Sequence, residues 1–245
     1  MLHASGQIGD DQLVLSPHAP TRLSARQKCD YTSEDYHRIV GHRGLYIGHY
    51  LDRGYDVLYL DVDVLLRRNP APWFAPGCDV ATQMDGASYH CTGFLMARHS
   101  RRTVALMRQW YDTMRVSPGL NQMPFNSLLK KLHANAELRA CRLDRKLFPS
   151  GGMYYALDWP QLYGKPRPDT FGIGQVPAGP PLTREEQRRA VMVHANFMDG
   201  YAVKHQALGL AMERAVLRSE RKETPVDVDS RGGVKLQMAQ TQSYN

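Results

Sequence analysis

Several things are missing from this 245-residue sequence, and each absence narrows what it can be. There is no run of five or six like charges, so a nucleic-acid-binding arm is not expected. None of the four cysteines, Cys29, Cys78, Cys91 and Cys141, forms a C-x-x-C pair, which argues against a zinc ribbon. Four in a chain this long do not make a disulfide scaffold, and one or two bridges or four free thiols both stay open. No apolar run approaches a transmembrane span, and residues 1–20 are polar and broken by prolines, without the apolar core of a signal peptide. No membrane segment is therefore expected in this chain. There is no Asn-x-Ser/Thr sequon and no internal repeat.

What is present is an ordinary globular balance of 42% hydrophobic and 22% charged residues, enough to bury a sizeable core. The formal net charge of +7 suits an anionic partner without choosing among small molecule, acidic polymer and nucleic acid. Strand-like runs fall at residues 11–16, 56–61, 78–84, 91–97, 138–143 and 190–195. Apolar residues recur at helical spacing over 33–54, 99–115, 122–133 and 200–217. Strands alternating with helices predict an α/β sheet. Residues 56–61 are apolar on both faces and read as a buried central strand. Residues 150–182 are rich in Gly, Pro and Tyr and read as a long irregular stretch, and the chain from Ser219 onward as a disordered tail.

The sharpest motif is Asp61-Val62-Asp63, directly after that strand. Residues i and i+2 of an extended chain point the same way, so both carboxylates can face one ion. Adjacent carboxylates repel, and a divalent cation keeps both ionised. Hard oxygen ligands favour Mg²⁺ or Mn²⁺ over zinc. The plain alternative is a strand end with two solvated aspartates. A second chemistry shares the pattern, namely phosphatases of the haloacid-dehalogenase type, with Asp61 as nucleophile and Asp63 as acid/base. That pattern wants Thr or Val where Leu65 stands, and its late acidic pair would have to be Asp227 and Asp229.

A second constellation is His194, Asn196, Gly200 and Lys204. A strand ends at the histidine and a helix starts near the glycine. Neutral imidazole completes Mn²⁺ coordination, Gly200 lets a phosphate approach backbone N–H groups, and Lys204 neutralises a diphosphate. Each residue alone reads as a strand-end histidine or a surface lysine; together they make an anion site. Trp73, Trp110 and Trp159 read as core or pocket wall. Tyr154 and Tyr155 are candidates to stack on a sugar. Arg98, Arg101, Arg102 and Arg108 read as a solvated basic face.

The stretch from Gly54 to Pro70 resembles the signature of the nucleotide-diphospho-sugar transferase family, which includes plant cell-wall arabinosyl- and xylosyltransferases. Further elements fall in the family's order: Gln83 with Asp85, Cys91-Thr92-Gly93-Phe94, Asn121-Gln122, Leu143-Asp144 with Phe148-Pro149-Ser150-Gly151, and His194 with Gly200 and Lys204. The resemblance covers roughly residues 31–209. It implies a GT-A fold, a Rossmann-like mixed sheet flanked by helices, in a domain spanning 31–217 between an N-terminal remnant (1–30) and a tail (218–245). It also implies retaining transfer of a sugar from a nucleotide donor, expected to be a UDP-sugar, to a glycan or glycoprotein hydroxyl, with manganese, in the Golgi lumen.

Carried over by that resemblance, Asp61, Asp63 and His194 bind the metal, and Gly200 and Lys204 hold the diphosphate. Arg43 and Val62 contact the donor. Gln83, Asp85, Thr92 and Gly93 line the sugar and acceptor pocket, and Asp85, Asn121 and Gln122 lie near the reacting carbon. Two departures stand out. Asn121 replaces an aspartate, which removes a carboxylate nucleophile, and Cys91 stands where Asn is usual. Only about thirty residues precede Tyr31, so the family's first strands, which hold the nucleobase, are expected to be missing. A catalytically inactive binding protein of the same fold therefore stays open beside the enzyme.

Overall fold

The computed structural model describes residues 33–171 and 176–220. Residues 11–16, Cys29, Asp227, Asp229 and the tail beyond Glu220 lie outside the described residues. Ser33 caps the first helix, its hydroxyl accepting from the Tyr36 N–H. One helix was expected over 33–54; two are found, α1 (Glu34–Gly41) and α2 (Arg43–Asp52). The break has a local cause. The ring Nδ1 of His42 lies 2.6 Å from the Arg38 carbonyl, the oxygen to which the His42 N–H would donate in a continuous helix. That N–H turns to Ile39 instead. Gly54, with φ +90°, then reverses the chain into the first strand.

A four-stranded mixed sheet has the order β1-β4-β3-β5. β1 (Val57–Leu60) and β3 (Val80–Met84) flank β4 (His90–Ala97) antiparallel, and β5 (Ala140–Arg142) runs parallel to β3. The sheet with its helices is the mixed α/β architecture that the sequence predicts. One expectation fails: β1 is not a buried central strand. Among the described residues it is the sheet's edge, with Leu58 39% and Leu60 36% exposed while Val57 and Tyr59 pack inward. An apolar run reads as two-sided burial, but the described residues cover only one face of this strand.

Alternation along β4 divides the core. Leu95 and Ala97 join Ile47, Leu51, Met107, Trp110, Phe125 and Leu129 under α2, α3 (Arg101–Val116) and α4 (Gln122–Ala134). Phe94 and Met96 face Phe148, Val191 and Met192 on the other side. α2 meets α3 through glycine. A Cβ at Gly44 would stand 2.7 Å from the Met107 carbonyl, so only hydrogen fits there. This close approach places Arg43, the first residue of α2, over the sheet.

A second ladder, not foreseen, pairs β2 (Val64–Leu66) with β8 (Met192–His194) antiparallel, Val64 opposite His194. The stretch 150–182 is more ordered than its composition implies. It holds α5 (Gly151–Tyr154), α6 (Trp159–Tyr163) and a short pair, β6 (Thr170–Phe171) with β7 (Val176–Pro177). Tyr154 and Tyr155 are fully buried there and so are not free to stack on a sugar. α7 (Arg184–Arg189), capped by Thr183 and Glu186, was also missed. α8 (Tyr201–Glu220) closes the described chain.

Buried Asp158 ties these helices together, taking paired bonds from Arg184 (2.7 and 3.0 Å) and Arg214 (2.8 and 2.9 Å). Cys78 and Cys141 form a disulfide at the β3–β5 pair, and Cys91 is a buried free thiol. Trp110 and Trp159 are core residues, as expected. No helix among the described residues is long and apolar enough to cross a membrane.

The glycine contact gives a differential test. Gly44→Ala forces backbone apart and should cost about 1–3 kcal/mol. Gly41→Ala meets only the Met114 side chain at ordinary contact distance and should be neutral or slightly stabilising. Urea unfolding midpoints of the two variants check the ordering.

Candidate active site

β1 delivers Asp61 to the end of the sheet, where its N–H donates to the Gly93 carbonyl at 2.8 Å. The chain then turns rather than continuing extended, the Val64 N–H closing onto the Asp61 carbonyl at 3.1 Å. The two carboxylates thus converge through a turn, not through the i, i+2 alternation of a strand. Val62 at its tip projects fully into solvent. β2 follows at once, and its ladder with β8 brings His194 level with Val64. The Asp63 carbonyl accepts from the Ala195 N–H at 2.9 Å, which fixes the register. Residues 130 positions apart are held together by backbone hydrogen bonds.

Each carboxylate has a cationic partner. Arg43 Nη2 lies 2.7 and 2.8 Å from the two Asp61 oxygens, and its Nη1 donates to Thr92 Oγ1 at 3.0 Å. Tyr59, on the same strand face two residues before Asp61, donates its hydroxyl at 3.1 Å. Burial raises the Tyr59 pKa, with Asp61 adding to the rise against Arg43, so the phenol stays protonated as a donor. Lys204 Nζ stands 2.6 Å from Asp63 Oδ2, and His194 Nε2 lies 3.2 Å from Oδ1. Burial by itself raises the Asp63 pKa. The His194 hydrogen bond and charge, with Lys204, outweigh it and hold the carboxyl well below the usual carboxylate range.

Asp61, Asp63 and His194 each offer a ligand atom, and these atoms all lie within 4.8 Å of one another. Two hard oxygens and one imidazole suit Mn²⁺ or Mg²⁺. The surroundings fit such an ion. Gln83 is buried and its Oε1 lies 2.8 Å from His194 Nδ1, so the Nδ1–H donates there and Nε2, which faces the carboxylates, is the ring atom left to coordinate an ion in exchange for its proton. Gly93 lies directly beneath: a Cβ on it would fall 2.4 Å from His194 Cε1 and 2.6 Å from Asp61 Oδ2.

Beside this centre lies a buried carboxylate, Asp85. Its Oδ2 accepts from Gln122 Nε2 at 2.8 Å and its Oδ1 from Asn196 Nδ2 at 2.7 Å. Burial raises its pKa, against the hydrogen bonds from Gln122, Cys91 and Asn196. Cys91 Sγ also lies 3.8 Å from His194 Nδ1, connecting the two groups. Asn196 Oδ1 accepts from the Gly151 N–H, so one amide joins the carboxylate to the α5 start.

Of the residues carried over by resemblance, Arg43, Asp61, Asp63, Gln83, Thr92, Gly93, His194 and Lys204 form one bonded cluster, and Asp85 with Gln122 a neighbouring one. Arg43 is committed to Asp61 and Thr92. Gly200, φ +88°, precedes α8 with open space around it. Asn121 is not brought to Asp85: its amide reaches the Val40 carbonyl at 3.4 Å, and its own carbonyl accepts from Trp110 Nε1 at 2.9 Å. Tyr59 is a site residue that the sequence does not signal, though it sits two residues before Asp61, and Asn196, read from the sequence as part of an anion site, bonds Asp85 instead.

Comparison with known proteins gives an independent view. The family profile described as Nucleotide-diphospho-sugar transferase matches residues 13–208, so the match begins ahead of Tyr31, where the motif resemblance starts. The Arabidopsis thaliana protein UDP-D-xylose:L-fucose alpha-1,3-D-xylosyltransferase 3 is 23% identical over 209 residues, covering 74% of this chain and 48% of that protein. UDP-D-xylose:L-fucose alpha-1,3-D-xylosyltransferase from the same plant is 22% identical over 209 residues, covering 74% and 50%. An uncharacterized Arabidopsis thaliana protein is 29% identical over 96 residues, covering 38% and 29%. The chain spans half or less of the length of each of these relatives.

Gly93 provides the test of this geometry. Gly93→Ala pushes a methyl between the imidazole and Asp61 and should weaken Mn²⁺ binding by about tenfold or more, as disturbed ligand orientation does elsewhere. Electron paramagnetic resonance of free Mn²⁺, with circular dichroism to confirm folding, reads the effect.

Proposed function

The chain belongs to the nucleotide-diphospho-sugar transferase family, and we propose that it is a metal-dependent, retaining glycosyltransferase acting on a UDP-sugar. The acceptor is a hydroxyl of a glycan or glycoprotein. The observation that carries this reading is the convergence of Asp61, Asp63 and His194 from the two ends of the domain. The UDP-D-xylose donor named for the two Arabidopsis xylosyltransferases supports a UDP-linked donor.

Asp61, Asp63 and His194 would hold Mn²⁺, or Mg²⁺, which supplies Lewis-acid stabilisation of the departing diphosphate. Arg43 and Tyr59 orient Asp61, and Gln83 orients His194. Lys204, one turn inside α8, exchanges its bond to Asp63 for the diphosphate oxygens. Gly200 leaves backbone N–H groups at the helix start open to the same anion. Gln122 and Asn196 fix Asp85 beside the donor sugar, where its carboxylate orients a hydroxyl.

Asn121 faces Val40 and offers no nucleophile, and Asp85 is tied by two amides. Both facts favour attack by the acceptor on the donor face that the diphosphate leaves. The bond from the acceptor oxygen to the anomeric carbon forms as the bond to the diphosphate oxygen breaks, and the acceptor proton passes to that leaving oxygen. The family match favours the transferase over the phosphatase reading of Asp61. The Cys78–Cys141 disulfide suits an oxidising compartment and so supports the Golgi lumen.

Asp63→Ala should reduce Mn²⁺-dependent hydrolysis of UDP-xylose or UDP-glucose by about a thousandfold or more, as loss of a catalytic metal clamp does. Undiminished turnover in that variant rejects the proposal. If calorimetry with UDP and excess Mn²⁺ gives no heat for the wild-type chain, the enzyme is rejected and the result points to a degenerate site, that of an inactive protein of the same fold.

A further inference from the structure

Arg145 lies in the segment between β5 and α5, and its side chain is half-buried. Its Nε is shut off from solvent without a hydrogen-bond partner. The other half-buried arginines among the described residues, such as Arg43, Arg167 and Arg214, each donate to a protein oxygen. Arg145 lacks such a bond there. The carboxylate whose charge it feels is Asp85, and both oxygens of that group are already taken by Gln122 and Asn196. Burial lowers the Arg145 pKa, a sign that its surroundings disfavour the charge they contain.

The backbone beside it is cleared as well. Gly179 has φ +73°, and a Cβ there would fall 2.8 Å from Arg145 Nη2 and 3.3 Å from Met153. A planar group with five donors thus rests against bare glycine. A half-dry cation without an acceptor is costly, and an acceptor brought by a ligand removes that cost.

We propose that Arg145 is an anion subsite that recognises a carboxylate carried on a sugar, as in a uronate. This rests on the glycosyltransferase reading and adds the substrate's charge to it. The guanidinium fork matches a carboxylate in paired hydrogen bonds. The diphosphate is served elsewhere, by Lys204 and the Asp63–His194 centre, and Arg145 feels the charge of Asp85, the carboxylate beside that centre. The free anion for Arg145 is therefore on a sugar ring, of the donor or of the acceptor.

Calorimetry on the full chain with Mn²⁺ distinguishes the two sources. The donor arm compares UDP-glucuronate with UDP-glucose. The acceptor arm, at saturating UDP, compares methyl galacturonide with methyl galactoside. The uronate should bind about tenfold or more tightly in one arm. Arg145→Gln should bring that ratio to about one, and Arg145→Lys should restore part of it. A wild-type ratio near one in both arms overturns the subsite, as does a ratio that survives in Arg145→Gln. If UDP itself does not bind, the glycosyltransferase reading fails and takes the subsite with it; if UDP binds without any preference for charge, the subsite alone falls.

Discussion

Two carboxylates forced into one small space are the constraint on which the rest of the site depends. At about 4–5 Å and an effective dielectric near ~20, like charges repel by roughly 3–4 kcal/mol. The protein meets this with two cations from different parts of the fold, Arg43 against Asp61 and Lys204 against Asp63. Much of the scaffold positions those cations. The glycine contact with α3 sets α2 and hence Arg43, and the arginine clamp on Asp158 holds α8, which carries Lys204. The β2–β8 ladder sets His194 opposite the turn. On the proposed function, a divalent ion arriving with a diphosphate would bring opposite charges together, so Lys204 could change partner with little net change in charge at the centre.

The sequence shows much of this because its strongest signals are local. Asp61-Val62-Asp63 follows an apolar strand directly, and His194 ends another, so both strand ends are visible without knowing the topology. Helical periodicity finds α3 and α4 to within a residue or two, and Trp110 and Trp159 read correctly as core. Six motifs in family order carry the rest, and the family profile matches residues 13–208.

What stays hidden is long-range or depends on only one face of an element. β2 is three residues long and has no strand signal of its own, and its pairing with β8 joins residues 130 positions apart. β1 looks central because its outer face is apolar too. The sequence leaves one or two bridges and four free thiols equally open, since the Cys78–Cys141 partnership is set by the β3–β5 register. Residues 150–182 look irregular because their glycines and prolines resemble those of an open loop. They fold instead around Tyr154, Tyr155, Trp159 and Phe171, aromatic residues that pack a second core. Asn121 keeps its helix-start position, but its direction toward Val40 could not be read from its neighbours.

The Cys78–Cys141 bond closes a ring of 63 residues of separation that contains β3, β4, α3 and α4. A protease that cuts once inside this ring breaks the chain without releasing a piece. The two ends stay joined through sulfur, and a gel run without thiol shows one band where a reduced sample shows two. Nicked and intact molecules are thus indistinguishable by mass until the bridge is opened, apart from the single water gained at the cut.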